Sequence, residues 1–169
     1  MKYDPSEGAA FAVRSAYLDL LDAISRSASG QNEDDVQTLH SEAEKFIVAM
    51  LASVILEDGH IRQEEAEFLC ELLNIHDVPG GAIRYVNEYA CRWPSLSTST
   101  PKFLSVAINH DHEAAGEMLR MIQIIGNNAS VSDAQFAICE HAVVRDCIAR
   151  LEAALSTDDK TEQGAAANP

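Results

Sequence analysis

Four carboxylates gathered around one glycine are the densest chemistry in this sequence. They lie in the stretch LEDGHIRQEEAEFL, residues 56–69. Asp58-Gly59-x-Ile61-x-x-x-Glu65 has the spacing of the second half of an EF-hand calcium loop. Such a loop also needs oxygen ligands at its first and third positions, which here are Val54 and Leu56. A standard EF-hand is therefore excluded. What stays open is a weaker divalent-cation site drawing on Glu57, Asp58, Glu64 and Glu65. The plainer alternative has Asp58 finishing a turn while the glutamates favour the positive end of a following helix.

A second group of ligand types is His110-Asp111-His112-Glu113. Two imidazoles in an i/i+2 loop could converge on a transition metal. Asp111 as a helix N-cap with Glu113 in the first turn accounts for the same residues. The metal reading thus assigns Asp58, Glu65, His110 and His112. His40 and Glu44 are spaced i, i+4 and read as a solvated contact on one helix.

For catalysis there is no GxSxG, P-loop, HExxH or dinucleotide-binding glycine pattern. No catalytic residue and no resident cofactor is assigned, and a non-enzyme is expected. Cys70, Cys91, Cys139 and Cys147 show no CxxC spacing and read as reduced thiols on helices.

Charge narrows the partners. The net charge is -15 and the pI about 4.6, which repels nucleic acid and anionic membranes. Residues 31–75 hold 11 Asp/Glu against Lys45 and Arg62, a local charge of -9. Glu57, Asp58, Glu64, Glu65, Glu67 and Glu71 form the expected interaction surface, for a protein with a basic face. A homodimer is also left open. The longest apolar run, Phe46 to Leu56, is too short to span a bilayer. No basic region followed by an apolar core begins the chain, so a cytoplasmic location is expected.

The elements that position these residues read as helices throughout. Residues 6–28 carry Phe11, Tyr17/Leu18, Leu21 and Ile24 near the 3.6-residue period. Asn32 is a good N-cap for a long helix whose first turn is Glu33-Asp34-Asp35. That helix turns apolar almost all round towards its end at Gly59, as a helix covered on several sides does. A shorter helix follows over residues 63–73, with Leu69 inward, Glu64, Glu67 and Glu71 outward, and Asn74 as its stop. Asp77-Val-Pro79 is expected to restart a helix to about Arg92, with Trp93-Pro94 and SLSTST as a loop. Thr100-Pro101 reads as a cap and first helical position. Gly126-Asn-Asn reads as a break, and Ser132-x-x-Gln135 as the capping box of the last long helix. Beyond Ser156 the composition is that of a tail.

About seven helices result: an all-α single domain over residues 1–155, with a flexible tail at 156–169. Residues 1–30 are an added N-terminal helix, with two halves at 31–93 and 100–155. Setting Ile61 against Val131 aligns the two corners at an offset of 70 residues. This predicts a weak pseudo-twofold internal repeat.

The apolar helix running into Asp58-Gly59-x-Ile61, with the acidic start at Glu64-Glu65, resembles the TerB-like (tellurite-resistance-type) helical domains. The resemblance covers this hairpin well and the later half loosely. It implies an all-helical accessory module of a stress-response or membrane-linked complex, with no reaction to transfer and Asp58 and Glu65 at the acidic site. Arg62 departs from it, standing where such domains commonly carry a Ser, Thr or Asp cap. A missing cap costs on the order of 1 kcal/mol. The expected function is a non-enzymatic protein–protein interaction module, the alternative a divalent-cation binder or sensor.

Overall fold

A computed structural model describes residues 5–56, 59–129 and 140–165. Glu57 and Asp58 of the acidic corner, the Ser132–Gln135 box and Cys139 lie outside the described residues, so the two corners compared in the repeat are each described only in part.

The chain is all-helical. Its elements are α1 (Pro5–Ser27), α2 (Glu33–Leu56), α3 (Gln63–Leu72), α4 (Ala82–Leu96), α5 (Lys102–His110), α6 (His112–Ala129) and α7 (Glu140–Ala165). Among the described residues there is no strand, and no helix is long and apolar enough to cross a membrane.

Helix α2 is the core element. Asn32 caps it, its Oδ1 accepting the Asp35 N–H at 2.9 Å. Seven consecutive residues, Phe46 to Ala52, are buried, because α1 and α3–α7 all touch this helix. The Phe46 ring packs edge-on to Phe103 of α5 (6.0 Å) and tilted against Trp93 of α4 (5.6 Å).

The hairpin partner α3 is not the main neighbour of α2, which packs far more extensively on α4. The largest helix pairing is α1 on α6, so the N-terminal helix is built into the core. The α1 face also differs from the expected one. Tyr17 and Ile24 are buried as expected, but Phe11 is 75% and Leu18 53% exposed, and Ala9, Val13, Ala16, Leu20 and Ala23 complete the buried face. Alanines spaced by seven residues carry the inward stripe, letting the backbones approach closely.

Backbone chemistry moves three boundaries. Asp77, Gly80 and Gly81 adopt positive φ (55°, 83° and 85°), which delays α4 to Ala82. Pro94 lies within the last turn of α4 rather than in a loop, where its missing N–H removes one i→i−4 hydrogen bond near the helix end. Pro101 stands at the cap of α5 instead of its first helical position, its carbonyl accepting from Leu104 and Ser105. Gly126 does not break α6. It is buried inside the helix, where a Cβ would run into Val144 Cγ1 of α7. Beyond Ser156, α7 continues in helical backbone to Ala165.

Candidate functional site

The α2–α3 corner is built by backbone devices. Gly59 takes φ 96°, and its N–H donates to the Leu56 carbonyl at 2.8 Å. Ile61 is buried and anchors the turn. Arg62 holds the N-cap position in extended backbone (φ -81°, ψ 158°), and its guanidinium has donors only, so it cannot cap. The Glu65 carboxylate substitutes, accepting the Arg62 N–H at 2.8 Å; half of a capping box survives without its Ser or Thr. Asn74 ends α3 in left-handed conformation (φ 56°). Ile75 N–H bonds to the Cys70 carbonyl and Asn74 N–H to that of Glu71, a Schellman closure.

Glu65 is thereby occupied by its own helix terminus. Glu67 accepts from Gln63 Nε2 at 2.6 Å. Glu64, Glu67 and Glu71 are exposed, and no described residue forms an ion pair with them. Between them stands Phe68, 48% exposed. Glu64, Phe68 and Glu71 follow i, i+4, i+7 and share one stripe of α3.

His110 and His112 do not join this corner through any described cluster. His110 ends α5 and His112 begins α6, both exposed. Asp111 between them caps α6, its Oδ1 taking the Ala114 N–H at 3.1 Å. Among the described residues, no three His, Cys, Asp or Glu side chains gather as metal ligands.

Two polar contacts were not legible as such. His40 and Glu44 do not form a solvated contact: each reaches a different helix. His40 Nε2 lies 2.9 Å from Ser25 Oγ and 3.0 Å from the Leu21 carbonyl, to which Ser25 also donates. A ring nitrogen that close to a carbonyl carries its proton, so it offers Ser25 no lone pair. The pair is a latch between α1 and α2, not a serine–base dyad.

Glu44 accepts the Tyr85 hydroxyl of α4 at 2.7 Å. Burial first, then the Glu44 charge, pushes up the pKa values of Tyr17 on α1 and Cys70 on α3. Tyr85 is raised by burial and by its bond to Glu44. The Cys70 thiol is therefore protonated at neutral pH and no nucleophile. Burial also raises Cys147, with Arg150 opposing. The i, i+4 spacing of His40 and Glu44 was visible in sequence; partners from distant helices were not.

An apolar cleft opens beside Phe68. Ala10 and Val13 of α1, Leu51, Val54 and Ile55 of α2, and Phe68, Leu69 and Leu72 of α3 line it. Its volume is about 60 Å³. The thin packing of α3 on α1 and α2 leaves it open.

No family model, curated protein or solved structure matches the chain.

Proposed function

We propose that this chain is a non-catalytic, TerB-like interaction module that presents the outer face of α3 to a basic surface of a partner protein. The observation that carries this reading is the exposed stripe Glu64–Phe68–Glu71, an aromatic side chain set between carboxylates without described ion pairs. Aromatic side chains, Phe among them, are enriched at protein interfaces, with polar and charged groups at the rim. The negative field around it would raise the encounter rate with a cationic partner and make binding salt-dependent. The resemblance of the hairpin to TerB-like domains adds the setting, an accessory role in a stress-response or membrane-linked complex.

The test is a pull-down from the native cell with the full chain and the variant Glu64→Lys/Glu67→Lys/Glu71→Lys. The partner should be lost with this variant and kept with Asp19→Lys/Asp22→Lys on α1. A partner retained by the α3 variant contradicts the reading.

A further inference from the structure

We infer that the cleft beside Phe68 is the receptacle for an apolar anchor residue on a basic amphipathic helix. The inference rests on the reading that α3 meets a basic partner, and adds how that partner is gripped. Every residue lining the cleft is apolar, so nothing there orients a polar ligand. Its volume of about 60 Å³ is far below the roughly 300–1,000 Å³ of sites that hold small-molecule cofactors. The cleft therefore takes a side chain rather than a free metabolite.

Charge complementarity identifies what carries that side chain. Phe68 belongs both to the lining and to the exposed stripe, so Glu64 and Glu71 stand at the rim within one helical turn of it. On the α1 side the cleft ends at Ala10, next to Phe11, which is 75% exposed. An occupant with one apolar face and flanking Lys or Arg satisfies both features. A helix laid into a groove between helices does this with anchors at i, i+3/i+4 and i+7. A purely cationic partner would leave Phe68 and the cleft unused.

The experiment uses the full chain and a fluorescein-labelled amphipathic Leu/Lys helical peptide, read by anisotropy. The control peptide has the same composition with its leucines scattered around the helix. The patterned peptide should bind and the scattered one should bind about tenfold more weakly or worse. Two variants narrow or unrim the cleft from opposite sides, Ala10→Leu and Phe68→Ser. Circular dichroism and urea midpoint identify a variant that folds as wild type, and each such variant should weaken the patterned peptide by about tenfold. If folded variants bind both peptides within about twofold of wild type, the cleft is not the receptacle, although the charge-based reading survives. If Glu64→Lys/Glu67→Lys/Glu71→Lys also binds like wild type, that parent reading falls too. A wild-type dimer in light scattering that Phe68→Ser splits would make the cleft a self-interface and overturn the inference.

Discussion

Arg62 and Glu65 show how one residue type reassigns another. With a guanidinium at the cap position, the start of α3 depends on the Glu65 carboxylate holding the Arg62 N–H. Arg62→Ser supplies an acceptor in backbone already suited to it and should stabilise the fold by about 1 kcal/mol. Glu65→Ala should cost about 0.5–1 kcal/mol. Urea denaturation at neutral pH measures both. Tyr17 and Tyr85 give a pH signature. Their folded pKa values are raised above the unfolded value, so the unfolded chain loses these protons first. Stability is then full below about pH 10 and falls as pH rises above it. Tyr85→Phe should lower stability at neutral pH by about 1–2 kcal/mol, because Glu44 loses its donor, yet flatten the alkaline decline. Urea midpoints measured from neutral to alkaline pH test this. An alkaline slope equal to that of wild type would contradict it.

At the scale of elements, small residues decide which faces meet. Leu20→Ala on α1 should cost about 2–5 kcal/mol, while Phe11→Ser and Leu18→Ser should stay within about 0.5 kcal/mol of wild type. Chemical denaturation separates these outcomes cleanly. Gly126→Ala should destabilise by about 1–2 kcal/mol, because the clash of the new Cβ with Val144 Cγ1 outweighs the gain in helix propensity. Adding Val144→Ala should recover part of that loss. Helix number and the buried end of α2 were legible because large aliphatics crowd that stretch. The α1 face was legible only at Tyr17 and Ile24, because alanines carry much of its stripe while bulky Phe11 and Leu18 point to solvent. Gly126 read as a breaker for a related reason: sequence gives a glycine's conformational freedom but not the valine packed against it.

For the whole molecule, the acidic half resolves into distinct jobs. Glu65 starts a helix, Glu44 ties α2 to α4, and Glu64, Glu67 and Glu71 face outward with Phe68. Composition and charge made the exposed acidic face of α3 legible. They could not show the cleft, which depends on how lightly α3 rests on α1 and α2. The central claim is that a partner engages the outer face of α3. Its most direct measurement is photo-crosslinking in the native cell, with a benzoylphenylalanine replacing Phe68 in one sample and Glu88 of α4 in another. Position 68 should give a discrete protein adduct that disappears with Glu64→Lys/Glu71→Lys, and position 88 should not. No adduct at 68, or one indifferent to the charge reversal, would contradict the claim.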